Sequence, residues 1–285
     1  MAGISTNRTN INLPTEVSQE IMQKVQEQSA VMQLARQVPL PGRGVTIPVI
    51  TGDPQAGWVE ETGAKPVSNP TLSTKIMQAY KLAVIVPFSD EFRRDLPALF
   101  DAVVERLPGA LALKFDATVF GAASGAPGSN FDTLGGATAQ SLATDAYAGL
   151  VAADTAIATA GGIMNGIVLS PQGKGVLLAA TDGDHRPLFI NNVAEGAVPM
   201  VLGSRTVVSK GAYVAGSPNH VGIAGDWTQA KYGTVEGVQI RFADQTSLTI
   251  GGENVNLWEH NMFAVRAEIE VGFRADVNCF NVLTA

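Results

Sequence analysis

FSDEFRRDLPALFDAVVERLPGALALKFDATVFGA, residues 88–122, carries a long helical pattern. Apolar side chains recur every three or four positions, which places them on one stripe of a helix. They are Phe92, Leu96, Leu99, Val103, Leu107, Leu111, Phe115 and Val119. Roughly 25 residues predict a helix about 38 Å long, with a bend at Pro108-Gly109. By itself the stretch is also consistent with an ordinary core helix.

Composition narrows the class of protein. The chain has 285 residues, 46% of them hydrophobic, which is enough for one large domain or two intertwined ones. Only 16% are charged, which indicates surfaces covered by partners. The net charge of −7, without a Lys or Arg cluster, argues against binding nucleic acid by neutralising its phosphates. Non-specific enclosure of DNA remains compatible with it.

The sequence predicts neither disulfide bonds nor a targeting signal. Cys279 is the only cysteine, so no intrachain disulfide and no thiolate metal site can form. The polar N-terminus lacks an apolar signal core, and no apolar run approaches the length of a membrane span. We therefore expect a protein made and kept in cytosol, with no membrane partner.

The segments before the long helix have distinct patterns. Residues 1–14 are rich in Asn and Thr and predict an extended or mobile arm. Residues 14–38 predict an amphipathic helix, carried outboard of the main core, whose apolar face lies on its own body or on a neighbouring subunit. Residues 45–86 predict two long strands around a Gly- and Pro-rich middle. This hairpin rests on other chains or joins a larger sheet.

The segments after the long helix alternate between helices and short apolar strands. A small-residue connector, residues 121–141, is a candidate domain boundary. Helices are predicted at 143–160 and 171–180, and strands at 166–170, 198–209, 221–224 and 235–242. This alternation predicts an α/β block. Residues 261–282 predict a long strand returning to the first core, so that the block is inserted into another domain.

Catalytic signatures are absent from the sequence. It contains no GxSxG, GxGxxG, GxxxxGK[ST] or HExxH motif. The three histidines, His185, His220 and His260, are far apart in the sequence. Such histidines typically lie on the surface or have their hydrogen bonds made within the fold, and do not act as ligands or bases. Asp182-Gly183-Asp184 resembles a fragment of a calcium loop but lacks the other ligands, which favours a turn. We therefore predict a non-enzyme with no catalytic residues, cofactor or metal.

The order of these segments resembles the major capsid proteins of tailed bacteriophages, which have the Hong Kong ninety-seven type of shell fold. Three motifs carry the resemblance over about residues 15–285. They are VPFSDEFRRDLPALFDAVVERLPGALALKFDATVFG at the long helix, VLSPQGKGVLLAATDGDHRPLF in the inserted block, and NMFAVRAEIEVGFRADVNCFNVL in the closing strands. No single motif is decisive, but the ordered set is.

The resemblance implies an α+β fold with four parts. Residues 1–36 would form the N-terminal arm and helix, and residues 50–82 the extended loop hairpin, lying over a neighbouring subunit. The peripheral domain, built around the long spine helix, would comprise residues 37–49, 83–130 and 226–275. The inserted axial domain would comprise residues 131–225 and 276–285, and would meet its copies around five-fold and six-fold axes.

The implied function is that of a shell subunit. Pentamers and hexamers would build an icosahedral head that encloses double-stranded DNA, assembled in the cytoplasm of a bacterial host and retained in the virion. Because some relatives carry a long N-terminal scaffolding region and this chain reaches its arm within about 15 residues, we expect a separate scaffolding protein or a shell that assembles without one. A portal protein and a decoration protein are further expected partners. The alternatives are an encapsulin-like nanocompartment and a cytosolic α/β enzyme.

The resemblance also implies a covalent cross-link between subunits. Lys65, in GAKP, takes the place of the loop lysine of cross-linking relatives, while Asn261 and Glu268 take those of the acceptor asparagine and the assisting carboxylate. A buried Glu268 could accept a proton from the lysine, whose free amine would attack the asparagine amide and expel ammonia. The alternatives are a turn at Lys65-Pro66, a hydrogen-bonding Asn261 and a salt bridge of Glu268.

Overall fold

The computed structural model describes residues 15–42, 45–50, 72–91, 96–121, 125–182, 184, 186–189 and 200–285. The predicted arm, residues 1–14, and the middle of the predicted hairpin lie outside the described residues. The helices are α1 Thr15–Gln28, α2 Ala30–Leu34, α3 Leu96–Phe120, α4 Ala146–Thr159 and α5 Pro171–Ala179.

Fifteen strands accompany these helices in the described residues. They are β1 Arg36–Pro39, β2 Val45–Ile50, β3 Leu72–Met77, β4 Tyr80–Ser89, β5 Thr138–Ser141, β6 Gly166–Leu169, β7 Met200–Val201, β8 Ser204–Val208, β9 His220–Gly225, β10 Ala230–Thr234, β11 Gln239–Ala243, β12 Ser247–Ile250, β13 Glu253–Asn256, β14 Met262–Ala275 and β15 Phe280–Thr284.

The long helix α3 is confirmed, with 25 residues and Pro97 in its first turn as predicted. Phe88, at the start of the quoted stretch, belongs to β4, where it pairs with Phe263 of β14. In the second half of α3 the predicted stripe is buried at Leu107, Leu111, Phe115 and Val119. Pro108 lies inside the helix, where its missing N–H removes one backbone hydrogen bond. The bend there stays a prediction.

The amphipathic helix predicted for residues 14–38 is wrong as a single element. It is interrupted at Ser29, whose side chain accepts a hydrogen bond from the Met32 N–H and so caps α2. It then gives way to β1 at Arg36. Val25 and Val31 are buried in the main core, and α1 packs against α3. The helix therefore lies on its own body, within the main core and not outboard of it.

The first sheet is organised by β14. One side of β14 pairs antiparallel with β10 and β11, and β1 adds in parallel to β10. Its other side pairs antiparallel with β4, from Met262 opposite Ser89 to Val271 opposite Tyr80. The predicted strand at 235–242 is in fact a connector, residues 235–238, followed by the start of β11.

The predicted return strand of the hairpin is two strands. β3 pairs with β2, whereas β4 joins the first sheet after a break at Gln78 and Ala79. The break changes which side chains are covered: Met77 is buried and Ile76 is half exposed, contrary to the predicted shared face. From Tyr80 to Val86 the predicted alternation holds, and the even-numbered side chains pack on the main core.

The second sheet has the order β5-β15-β9-β6-β8-β7. The predicted helices and the strands at 166–170, 198–209 and 221–224 are confirmed as α4, α5, β6, the β7–β8 pair and β9. The predicted closing strand ends early, because after Ala275 the chain makes a short turn and enters the second sheet as β15, beside β5 and β9. The hairpin formed by β12 and β13 was not predicted.

Two cores share the second sheet. One face of the sheet contributes Val168, Ile223, Phe280 and Val282 to the main core, which also contains α3 and the first sheet. Its other face contributes buried side chains to a second core beneath α4 and α5, namely Ile167, Leu169, Ala224 and Leu283. The second sheet is therefore covered on both sides.

Candidate cross-link residues and buried polar networks

Within the described residues, Asn261 and Glu268 of the predicted cross-link are not brought together. Lys65 lies outside the described residues. Asn261 directly precedes β14 with a φ of 51°, and its carbonyl oxygen accepts a hydrogen bond from the Asp90 N–H at 2.8 Å. Glu268 lies seven residues further along the strand, about 23 Å away. Any reaction that uses both residues would thus combine them from different subunits.

Glu268 already has cationic partners in its own chain. Its carboxylate lies 3.1 Å from Lys81 Nζ and 3.4 Å from the Arg266 guanidinium, and Lys81 also lies 3.3 Å from Glu270. Hydrogen bonding from Lys81 lowers the pKa of Glu268, while its bonds to Glu268 and Glu270 raise the pKa of Lys81. A carboxylate with a lowered pKa is a weaker base, so the pair with Lys81 makes Glu268 a less effective proton acceptor.

A buried carboxylate links three elements, and sequence reasoning missed it. Asp116 of α3 accepts hydrogen bonds from Ser29 Oγ at 2.6 Å, Ala30 N at 2.9 Å and Ser209 Oγ at 2.7 Å. Asp116 therefore caps α2 from outside that helix, and it connects α2 and α3 to the turn after β8. Burial raises the pKa of Asp116, although these hydrogen bonds favour its charged form. The only sequence signal was one acidic residue on the apolar side of the helix.

A second network anchors the base of the β2–β3 hairpin. Asp132 accepts hydrogen bonds from Arg274 Nη1 at 2.7 Å and from Lys75 Nζ at 3.3 Å. Arg274 also donates to the Ile76 carbonyl oxygen at 2.8 Å, and Lys75 to the Ala275 carbonyl oxygen at 2.8 Å. The hairpin is thus joined to the end of β14 by side chains, at the point where the chain is not in a strand between β3 and β4.

The remaining candidate residues have structural surroundings. Asp182 accepts hydrogen bonds from the Asp184 and Arg186 N–H groups, which confirms a turn. His220 begins β9 and is partly buried, His260 is exposed, and His185 lies outside the described residues. Among the described residues there is no group of three metal-ligating side chains. None of the helices in the described residues is long and apolar enough to cross a membrane.

Comparison with known proteins decides the family. Residues 10–281 match the model of the Phage capsid family. The chain belongs to this family. The resemblance inferred from its ordered motifs is therefore correct.

Named relatives and solved structures agree with this phage capsid assignment. The chain is 30% identical to the "Probable major capsid protein gp17" of Mycobacterium phage L5 and 29% identical to that of Mycobacterium phage D29, each over 95% of this chain and 89% of the relative. A solved structure from Gordonia phage Cozz is 25% identical, with a TM-score of 0.70, over 90% of this chain and 86% of the other. One from Microbacterium phage Oxtober96 is 21% identical, with a TM-score of 0.69, over 100% and 94% of the chains. The predicted α+β capsid fold is thus confirmed.

Proposed function

We propose that this chain is the major capsid protein of a tailed bacteriophage. It self-assembles into the pentamers and hexamers of an icosahedral head that encloses double-stranded DNA. The observation that carries this function is the similarity, over 95% of the chain, to two proteins named as probable major capsid proteins. Its role in the virion is structural and requires no cofactor.

The division into domains follows the two sheets. Strands β10, β11 and β14 fall within residues 226–275, and most of β1 and β4 within 37–49 and 83–130, which supports a peripheral domain with α3 as its spine. All six strands of the second sheet fall within residues 131–225 and 276–285, which supports an axial domain. The β2–β3 hairpin supports an extended loop over residues 50–82, and α1 an N-terminal element over residues 1–36.

The proposed function implies further partners. A portal protein and a decoration protein would act with the shell, which would assemble with a separate scaffolding protein or without one, in the cytoplasm of the bacterial host. The net charge of −7 fits a wall that encloses DNA without sequence-specific contacts.

Electron microscopy of the purified protein tests this function. Negative staining should reveal large angular shells, or tubes and mixtures of pentamers and hexamers. The absorbance ratio at about 260 and 280 nm of particles from infected cells should indicate nucleic acid. Small uniform shells with protein cargo would instead support an encapsulin-like compartment, and featureless small particles would contradict assembly.

The cross-link between Lys65 and Asn261 is a separate part of the proposal. The lysine amine of one subunit would form an isopeptide bond with the Asn261 side chain of another and release ammonia, with Glu268 of a further subunit accepting the amine proton. Mature particles should then give high-mass bands on a denaturing gel, and a Lys65→Arg variant should give monomers. A single monomer band near 30 kDa from native particles, the mass of one 29.7 kDa chain, would exclude the cross-link.

A further inference from the structure

The β12–β13 hairpin is poorly supported by its own chain. Among the described strands, β12 and β13 pair only with each other. Most of the described side chains from Ser247 to Asn256 are exposed, and Leu248 and Val255 are only partly buried. An isolated two-stranded hairpin is marginally stable in water. The hairpin therefore has the character of a projection that another surface stabilises.

The turn that follows this hairpin presents a tryptophan. Trp258 is 66% exposed, whereas the preceding Leu257 is fully buried. The turn is held by hydrogen bonds from Leu257 N to Thr246 O at 3.0 Å and from Met262 N to Leu257 O at 2.9 Å. Asn256 Oδ1 accepts from Trp258 N at 3.2 Å. Because the turn is already ordered, docking the indole costs little conformational entropy, and exposed tryptophans are frequent interface anchors.

An apolar pocket lies at the other end of the molecule's first sheet. It has a volume of about 200 Å³ and opens between α3 and the edge strand β4. Its lining includes Tyr80, Leu82, Phe115, Phe131 and Val271, together with Thr118 and the lysines Lys81 and Lys114. A cavity of about 150 Å³ holds a benzene molecule, so this pocket has room for an indole.

The charges around the two features are complementary. Glu259, next to Trp258 in the chain, and Glu253, at the start of β13, are exposed. Glu259 is oriented by a hydrogen bond from Asn256 at 2.9 Å. The exposed Lys114 lies at the pocket, where it can pair with a glutamate or contact the face of an inserted indole.

Trp258 cannot reach this pocket in its own chain. It lies four residues before Met262, which pairs with Ser89, whereas the pocket includes Tyr80 and Val271, which pair at the opposite end of β4 and β14. Nine residue steps of strand separate the two ends by about 30 Å. The turn that carries Trp258 and the α3–β4 pocket lie at opposite ends of one protomer. A contact between them therefore joins copies head to tail, and such a contact closes into rings or extends a lattice.

We propose that Trp258 of one protomer inserts into the α3–β4 pocket of a second copy, with Glu259 or Glu253 against Lys114 of that copy. This contact rests on the proposed function, since it describes how capsid subunits meet. It names one residue and one pocket as an anchor of assembly.

Substitution of the tryptophan tests the anchor. Trp258→Ala should raise the protein concentration needed for assembly at least about tenfold, the effect of losing an interface anchor, while Trp258→Phe should have a smaller effect. Leu113→Ala is the control, because Leu113 is also exposed, at 45%, but is not among the residues that line the pocket. Assembly of Trp258→Ala at the wild-type concentration would overturn the proposal.

A disulfide tests the pairing itself. In a Trp258→Cys, Thr118→Cys variant, assembled at a protein concentration raised to offset the loss of the indole, mild oxidation should link successive protomers into a ladder that a reductant collapses on a denaturing gel. Trp258→Cys with Leu113→Cys is the matched control and should stay monomeric, and the native Cys279 is buried. Assembled particles without a ladder would overturn the contact and leave the proposed function intact. If the wild-type protein formed no shells at all, the proposed function itself would fail.

Discussion

Glu268 illustrates how one residue serves two possible roles. The family resemblance places it as the assisting carboxylate of a cross-link, and the folded protomer gives it a lysine partner at 3.1 Å. An ion pair within one subunit and a reaction between subunits compete for the same oxygens. The strength of the Lys81–Glu268 pair therefore bears directly on whether the carboxylate is available.

The strength of the Lys81–Glu268 pair can be measured from the pH dependence of the unfolding free energy. The pKa of Glu268 is lower in the folded protein than its ordinary value of 4.5, so the pair adds stability above about pH 4.5 that is lost as the pH falls through the folded pKa. Lys81→Met removes the main cause of the lowered pKa. We expect the unfolding free energy of this variant to fall less steeply with decreasing pH than that of the wild type.

Urea unfolding of the unassembled protein at several pH values between about 3 and 6 makes the measurement. Lys81→Arg is the control, because it keeps the positive charge and should keep the wild-type slope. Equal slopes in Lys81→Met and the wild type would show that Lys81 does not hold the carboxylate in its charged form.

At the scale of elements, α5 shows how closely a helix lies on its sheet. Gly173 faces β9, and a Cβ atom there would meet the Val221 carbonyl oxygen at 2.2 Å. Gly175, two residues later in the same helix, has no neighbouring atom within 4 Å of that position. One glycine is needed for close packing, and the other only lowers helix propensity.

Alanine substitutions should therefore have opposite effects in one helix. Gly173→Ala forces the backbones of α5 and β9 apart and should lower the free energy of unfolding by about 2–3 kcal/mol. Gly175→Ala should raise it by about 0.5–1 kcal/mol, because alanine restricts the unfolded chain and favours the helix. Chemical denaturation of the two variants measures both changes. Equal effects would contradict the packing of α5 on β9.

At the scale of the whole molecule, the two sheets are coupled through the main core, to which both contribute side chains. Trp227 packs between Phe120 of α3 and Phe280 of β15, with ring centroids 6.3 and 5.3 Å apart. Its indole N–H donates to the Gly166 carbonyl oxygen of β6 at 3.0 Å. A side chain that contacts both parts of the fold makes independent unfolding of either part unfavourable.

We expect a single cooperative unfolding transition of the unassembled protein. Leu111→Ala in the main core and Leu150→Ala in the second core should each lower the stability of that one transition by about 2–5 kcal/mol, because each leaves a cavity. Circular dichroism and tryptophan fluorescence should report the same midpoint in each variant. Two separated transitions in Leu150→Ala would mean that the parts unfold independently.

Local patterns in the sequence determined most elements of this protein. The apolar stripe of α3, the alternation of β4, the helices α4 and α5 and the buried run of β6 all follow from spacing and caps, because each depends on neighbours close in the chain. The ordered motifs also carried the family. The candidate cross-link residues came from that resemblance alone.

Only the tertiary structure decided where elements end and which polar groups they share. Ser29 divides one predicted helix because its hydroxyl group donates a hydrogen bond to Asp116, 87 residues away. The predicted return strand breaks at Gln78 because its two halves pair with different strands, and the chain after Ala275 leaves the first sheet to fill a gap between β5 and β9. These choices depend on partners distant in sequence, whose hydrogen bonds and packing outweigh local propensity.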